Sequence, residues 1–117
     1  MTFVERDRRT LAVLRRNVET CAVTAQSAIL CGDFLDARAQ HTTHGPFDIV
    51  FVDPPYDGTD LAAVAEAAVS VTAAEGIAIV EHSRRRASPE QAGGFTRVRL
   101  LTAGDSALSF YTAAPPR

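Results

Sequence analysis

The sequence Phe-Asp-Ile-Val-Phe-Val-Asp-Pro-Pro-Tyr, at residues 47–56, decides the fold of this chain. Its first six residues are almost continuously β-branched or aromatic, a pattern typical of a strand buried on both faces of a parallel sheet. The two prolines then end the strand, because proline has a fixed φ and no amide hydrogen, and it restricts the preceding residue to extended conformations. The sequence therefore predicts a buried strand over residues 47–52 that ends in a stiff corner at Asp53.

Strands and helices alternate before this stretch. Asp7 can cap a helix whose apolar residues recur every three or four positions, and a strand-like run precedes it. A second strand-like run ends at Gly32-Asp33, before a weakly helical stretch and a loop. The predicted elements are a strand at 2–5, a helix from 8 with apolar Leu11, Leu14, Val18 and Cys21, a strand at 27–31 and a weak helix from Phe34 to about Gln40.

The same alternation continues after the corner and ends in two strands. Thr59 or Asp60 can cap an alanine-rich helix, and a turn at Gly104-Asp105 joins the last two strands as an antiparallel hairpin. The predicted elements are a helix at 61–71 and strands at 76–81, 96–101 and 107–112. The pattern predicts a single α/β domain over residues 1–117, with a mostly parallel sheet and a C-terminal antiparallel hairpin.

Composition and charge set limits on the class of protein. A chain of 117 residues with 46% hydrophobic content can build one core. All 12 basic residues are arginine, and the net charge of −2 does not suggest a general polyanion binder. The arginines at 84–86 follow a strand end and could either contact phosphate or form a solvated face.

The cysteines and the hydropathy pattern indicate a cytoplasmic protein without a metal site. Cys21 and Cys31 lie ten positions apart, without a CxxC pair or neighbouring histidines, so we expect buried, reduced thiols. No apolar stretch approaches the roughly 20 residues of a membrane span, and no signal pattern precedes the first strand.

Three acidic residues, Glu5, Asp33 and Asp53, each follow a predicted strand. In an open parallel sheet, ligands bind beyond the carboxyl ends of the strands, so we expect these carboxylates around one crevice. Glu5 would accept hydrogen bonds from ribose hydroxyls, or it would only interact with a helix dipole. Asp33 would accept a bond from an adenine amino group with Phe34 near the ring, or it would only form a turn or an N-cap.

The corner at Asp53-Pro54-Pro55-Tyr56 is the most specific chemical signal. It can present the Asp53 carboxylate and the Pro54 carbonyl as fixed acceptors. Two acceptors suit an exocyclic amine of a nucleic-acid base, because they orient a nitrogen whose lone pair is delocalised into the ring. Tyr56 could stack on an extruded base and offset part of the cost of unstacking it.

These residues resemble a known family. The corner is similar to the catalytic (D/N)PPY motif of amino-methylating nucleic-acid methyltransferases. The segments FVERDRRTLAVLRRNV, GDF, FDIVFVDPPYDG and AGDSALSFY together resemble the 16S ribosomal RNA guanine-N2 methyltransferases over nearly the whole chain. The resemblance implies a Rossmann-like class I fold, S-adenosylmethionine as cofactor, and 16S rRNA or the assembling small ribosomal subunit as partner.

The resemblance also implies roles for individual residues. Glu5, Arg6, Asp33, Phe34 and Asp53 would bind the cofactor. The catalytic group would be formed by Asp53, Pro54, Pro55 and Tyr56, which would hold the target guanine.

The chain departs from this family at its start. Family members have a first strand and a Gly-rich G-x-G loop upstream of the acid that corresponds to Glu5, and this chain contains no G-x-G. That strand would lie between the strand of Phe3 and the strand of Phe47. We therefore expect an N-terminally truncated sheet that could self-associate across the open edge.

Three hypotheses remain open at this stage. The first is methyl transfer to the N2 amine of a guanine in 16S rRNA. The second is a non-catalytic or partner-completed α/β fragment that binds RNA or protein. The third is a DNA adenine-N6 methyltransferase, because the same motif serves both polymers.

Overall fold

The computed structural model describes residues 1–36, 45–55 and 59–113. The chain divides into two compact units, Met1–His44 and Gly45–Arg117. Within the described ranges, no helix is long and apolar enough to cross a membrane. The organisation of residues 1–117 as one domain stays a prediction.

The first unit is a parallel strand pair with one helix between its strands. Its elements are β1 (Thr2–Glu5), α1 (Arg8–Thr20), a short 3₁₀ helix (Thr24–Gln26) and β2 (Ala28–Cys31). β1 and β2 pair in parallel with Glu5 opposite Cys31. Leu11 and Val18, two helical turns apart, are the buried residues of α1, as its apolar periodicity predicts.

The predicted cap of α1 is confirmed. Asp7 Oδ2 accepts hydrogen bonds from the Thr10 hydroxyl at 2.7 Å and from the Thr10 amide at 2.9 Å. These two bonds, that of the hydroxyl first, lower the pKa of the Asp7 carboxyl because they stabilise its charged form. The cap starts α1 directly after β1 and so fixes where the chain leaves the end of that strand.

The second unit is a five-stranded mixed sheet with one helix. Its strands lie in the order β3-β4-β7-β6-β5. β3 and β4 are parallel, whereas β7 is antiparallel to both β4 and β6. The elements are β3 (Phe47–Val52), α2 (Leu61–Ser70), β4 (Thr72–Ser83), β5 (Gln91–Ala92), β6 (Phe95–Ala103) and β7 (Ser106–Ala113).

The core of this unit lies between α2, β4 and β7. Alanines bring the helix close to the sheet, and the side chains of Val64, Ala68 and Val80 are at most 2% exposed. Tyr111 is fully buried, and its hydroxyl donates to the Pro89 carbonyl at 2.7 Å. The core therefore contains a polar group without leaving it unpaired.

Several predicted boundaries are confirmed. β3 has the predicted bounds, and Asp60 is the N-cap of α2, with Oδ1 accepting from the amides of Ala62 at 3.0 Å and Ala63 at 3.2 Å. The C-terminal hairpin turns at Gly104, whose φ of 58° suits the first central position of a type II′ turn. The α/β class and the C-terminal antiparallel hairpin follow.

The prediction that β3 is buried on both faces is wrong for this structure. Val50 is 9% exposed, but Ile49 and Phe51 are 70% and 56% exposed. Successive side chains of a strand point to opposite faces, so Ile49 and Phe51 lie on the face opposite Val50, and α2, the helix described in this unit, can cover only one of the two faces. Within the described residues β3 pairs with β4, and β1 pairs with β2. Of the five strand pairs described, β1–β2 and β3–β4 are parallel and three are antiparallel, so the pairing is mixed rather than mostly parallel.

Two smaller predictions also need correction. Cys21 and Cys31 are free, as expected, but exposed rather than buried, because Cys21 is the C-cap of α1 and Cys31 is the last residue of β2. The predicted weak helix after Asp33 begins instead as a turn, in which the Asp36 amide donates to the Asp33 carbonyl at 2.9 Å. The rest of that segment, residues 37–40, lies outside the described residues.

Candidate active site

Two of the three predicted acids lie together in the first unit. Glu5 ends β1 and Asp33 follows β2, and the Gly32 amide donates to the Glu5 carbonyl at 3.0 Å. The Glu5 side chain is half-buried, with Oε2 accepting from the Arg6 amide at 3.1 Å. Parallel pairing therefore brings both carboxylates to the same end of the strand pair, as the sequence predicts.

Asp33 is held by two hydrogen bonds. Oδ1 accepts from the Leu35 amide at 3.0 Å, and Oδ2 accepts from Arg6 Nη1 at 3.2 Å. The side chains of this ion pair are 68% and 48% exposed, so solvent screens it and its net contribution to stability is small. An exposed pair of this kind can open and exchange Arg6 for a ligand donor at little cost.

The four residues Glu5, Arg6, Asp33 and Phe34 offer acceptors, a donor and an apolar surface that suit an adenosine group. The half-buried carboxylate of Glu5 can accept from two ribose hydroxyls, and Asp33 can accept from an amine. Phe34 is half-buried next to Asp33 in sequence and supplies an apolar surface for a ring. The structure brings together Glu5, Arg6, Asp33 and Phe34, all four residues that were predicted to bind the cofactor in this part of the chain.

The third acid, Asp53, lies in the second unit at the end of β3. The Asp53 side chain is exposed, and among the described residues its carboxylate has no hydrogen-bond partner. Pro54 is half-buried and Pro55 is exposed. Tyr56 lies outside the described residues. The corner thus presents a carboxylate that an incoming donor can reach, while the convergence of all three acids stays a prediction.

A pair of side chains fixes the chain just after the corner. The Thr59 hydroxyl donates to the Pro55 carbonyl at 2.5 Å, and the Arg86 guanidinium donates through Nη2 to the Thr59 carbonyl. Arg86 is half-buried and follows the end of β4, the strand next to β3. We call Thr59 and Arg86 the corner latch.

The corner latch changes the interpretation of the arginine run at 84–86. Arg86 binds the backbone at Thr59, and Arg84 Nη1 lies 3.4 Å from the Gly104 carbonyl while its amide donates to the Asp105 carbonyl at 2.8 Å. Two of the three arginines therefore bind the protein itself. Arg84 and Arg85 are both exposed, and Arg85 is the one for which either a phosphate contact or a solvent-facing role stays open.

Behind this run lies a buried polar chain that sequence reasoning did not find. His82 Nε2 is 2.8 Å from Ser109 Oγ, which is 2.6 Å from Ser88 Oγ. Arg97 Nη1 donates to Ser88 Oγ at 2.8 Å, and the other ring nitrogen of His82 is 2.9 Å from the Ser83 carbonyl. Within the described residues, no buried side-chain polar atom lacks a partner, and no group of histidines, cysteines and carboxylates is arranged to hold a metal.

Comparison with solved structures defines the fold. A conserved hypothetical protein of Streptococcus pyogenes superposes with a TM-score of 0.84 at 22% identity, covering 97% of this chain and 71% of that protein. The Escherichia coli protein yhhF, provisionally assigned as a methyltransferase, gives 0.73 at 23% identity, covering 97% and 63%. The rRNA methyltransferase aviRa of Streptomyces viridochromogenes gives 0.57 at 18% identity, covering 73% and 38%.

The chain therefore has the Rossmann-like α/β fold of class I methyltransferases, as the sequence predicts. It spans less than two thirds of yhhF and aviRa. Residues 1–112 match the family described as Conserved hypothetical protein 95, and the chain belongs to that family. No curated protein matches the chain.

Proposed function

We propose that this chain carries the active site of an S-adenosylmethionine-dependent methyltransferase that acts on the exocyclic N2 amine of a guanine in 16S rRNA. The observation that carries the proposal is the corner at Asp53: an exposed carboxylate without a partner among the described residues, on a proline-stiffened turn held by the corner latch. The partner would be free 16S rRNA or the assembling small ribosomal subunit.

The corner suits the chemistry of a base amine. Asp53 and the Pro54 carbonyl would accept the two N–H groups and turn the nitrogen lone pair toward the methyl donor. Once the amine carries the transferred methyl group, its extra proton would leave to Asp53 or to water. Tyr56 would stack on the base. S-adenosylmethionine supplies the electrophilic methyl group when bound.

The cofactor half of the proposal rests on Glu5 and Asp33. Both carboxylates lie at neighbouring strand ends, and the ion pair of Asp33 with Arg6 is exposed to solvent. In nucleotide-binding sheets a carboxylate in this place accepts hydrogen bonds from ribose hydroxyls. Glu5 would take that role, and Asp33 would accept from the adenine amine. The choice of RNA over DNA is supported by the family resemblance and by the likeness of the fold to the rRNA methyltransferase aviRa.

Replacing Glu5 by glutamine should weaken S-adenosylmethionine binding about 10- to 100-fold, because a charged acceptor of the ribose hydroxyls becomes neutral. Isothermal titration of the wild-type chain and the variant measures this change. Glu19→Gln, the same substitution at an exposed position on α1, is the matched control and should bind like the wild type. Equal affinities in all three proteins would exclude Glu5 from the cofactor site.

A second candidate is a partner-completed fragment, which functions only when another chain adds a strand to its sheet. The observation that favours it is that β3 pairs only with β4 among the described residues, while Ile49 and Phe51 on its outer face are 70% and 56% exposed. An apolar strand edge is a template for pairing with another strand. A second copy of this chain would supply such a strand.

Self-association through β3 should therefore depend on Phe51. In sedimentation velocity the wild-type chain is expected to form dimers, and Phe51→Glu should shift it to monomers because a charge cannot be buried in the pairing surface without a partner. Val98→Glu, at a residue of β6 that is 57% exposed, places the same charge elsewhere in this unit and should leave the dimer intact. A monomeric wild type would exclude the second candidate in its self-associated form.

A further inference from the structure

A continuous path of hydrogen bonds joins the interior of the second unit to the corner latch. The inner part of the path is buried, with exposed fractions of 3% for His82, 7% for Ser88 and 0% for Ser109. The outer part consists of Arg86, whose guanidinium donates to the Thr59 carbonyl, and Thr59, whose hydroxyl donates to the Pro55 carbonyl. Nothing in the sequence pattern predicts that these residues are connected.

The chemistry of the groups determines which one donates and which one accepts in each hydrogen bond of the inner path. Arginine only donates and a carbonyl only accepts, so Ser88 accepts from Arg97, and His82 carries its proton on Nδ1 toward the Ser83 carbonyl. Nε2 of the neutral ring then accepts from the Ser109 hydroxyl. Because each hydroxyl has one hydrogen, Ser109 in turn accepts from Ser88.

The alternative with a charged imidazole does not satisfy the buried groups. A proton on both ring nitrogens of His82 would make Ser109 donate to Ser88. The Ser88 oxygen would then accept from both Ser109 and Arg97, and its own hydrogen would have no acceptor in this path. An unmade hydrogen bond at a buried site is costly, so the neutral Nδ1–H tautomer is the state that fits.

The inner path ends at the Ser83 carbonyl, which also binds the backbone amide of Arg86, a residue of the corner latch. The Ser83 carbonyl accepts from His82 Nδ1 at 2.9 Å and from the Arg86 amide at 3.1 Å. The Arg85 amide, between them, donates to Ser83 Oγ at 3.2 Å. The turn at residues 83–86, from which the Arg86 side chain extends, is therefore fixed by the buried ring of His82 and by hydrogen bonds within the turn.

We propose that Thr59 and Arg86 are positioning residues for the proposed methyl transfer, and that the path from Arg97 to His82 holds Arg86 in place. The inference rests on the proposed function. The corner latch fixes the carbonyl of Pro55, one residue after the Pro54 carbonyl and two after Asp53, and so keeps both acceptors aimed at the amine. Misplacing reacting groups by about 1 Å can cost on the order of 100-fold in rate.

A matched pair of variants at Thr59 tests the latch. Thr59→Val removes the hydroxyl that binds the Pro55 carbonyl and keeps the shape, whereas Thr59→Ser keeps the hydroxyl and removes a methyl group. With full-length chain and 16S rRNA, Thr59→Val should lower kcat about 10- to 100-fold and leave the affinity for S-adenosylmethionine unchanged. Thr59→Ser should restore most of the wild-type kcat. A Thr59→Val enzyme with wild-type kcat, or an equal loss in both variants, would overturn the proposal.

Hydrogen exchange tests the latch without any activity. Amides at residues 59–64 should exchange about tenfold faster or more in Thr59→Val and in Arg86→Met, because each variant removes hydrogen bonding that holds the start of α2. Arg85→Met removes the same charge at the neighbouring exposed position and is the matched control, expected to exchange at the wild-type rate. Unchanged exchange in both latch variants would overturn the proposal.

The two measurements separate the latch from the function it serves. If the wild-type chain transfers no methyl group but the latch variants exchange faster than Thr59→Ser and Arg85→Met, the proposed function fails and the latch stands. If the wild-type chain is active and the latch variants match it in both kcat and exchange, the latch fails and the proposed function stands.

Discussion

Replacing Asp53 by alanine should lower kcat for methyl transfer about 100- to 1,000-fold, because the variant loses a preorganised acceptor for the reacting amine. The side chain is exposed and makes no hydrogen bond within the described residues, so its removal should change the free energy of unfolding by less than about 0.5 kcal/mol. Initial rates with labelled cofactor, together with urea unfolding of the same samples, measure both quantities.

The control for Asp53 is another acid on the same strand. Asp48 is exposed on β3, and Asp48→Ala removes one carboxylate without touching the corner. It should transfer methyl groups at the wild-type rate. If Asp53→Ala and Asp48→Ala had equal rates, the corner would have no special part in the reaction.

Replacing Gly76 by alanine should destabilise the second unit by about 1–3 kcal/mol, the usual range for an added group in a packed site. A Cβ at this position would lie 2.6 Å from the Asp48 carbonyl oxygen and 3.1 Å from that of Phe47. Both contacts are backbone atoms of β3, so they can relax only by moving the strand that carries Asp53. Urea unfolding measures the loss of stability.

Gly94 provides the comparison for Gly76. It has a φ of 87°, and a Cβ there would meet no atom within 4 Å. Asparagine tolerates positive φ better than most residues, so Gly94→Asn should cost less than Gly76→Ala. A Gly76→Ala protein as stable as the wild type would show that β3 can shift away from β4 freely.

Much of the fold was predictable because it depends on local signals. The β-branched run and the two prolines set both ends of β3, and the Gly104-Asp105 turn set the hairpin. β4 was harder, since Thr72–Ser83 is twice as long as the predicted strand. Ala73, Ala74 and Glu75 near its start have weak strand propensity and join the sheet through tertiary contacts, which include a pair between Thr72 and Phe47.

The burial of β3 could not be predicted from its own residues. A continuous apolar run indicates two covered faces, but coverage depends on the elements beside and above the strand, which the run itself does not specify. Ile49 and Phe51 are exposed for this reason. The same limit applies to Cys31, whose apolar character says nothing about its position at the end of β2.

The candidate site also combines residues that the sequence points to with residues that it does not. Acids at strand ends and a proline corner are readable in sequence, so Glu5, Asp33 and Asp53 could be named as candidates. The latch was not, because Arg86 meets Thr59 across 27 positions and only the parallel pairing of β3 and β4 brings the two segments together. His82 is isolated in sequence, so its spacing indicates no partner, yet both its ring nitrogens are hydrogen-bonded at a buried position.

The proposed activity can be measured as methyl transfer from labelled S-adenosylmethionine to 16S rRNA, supplied both free and in small ribosomal subunits, with the product nucleoside identified by mass spectrometry. We expect label in N2-methylguanosine from the wild-type chain and its loss in Asp53→Ala. No label in either RNA substrate, or label in N6-methyl-2′-deoxyadenosine when DNA is supplied instead, would rule out guanine-N2 methylation of 16S rRNA.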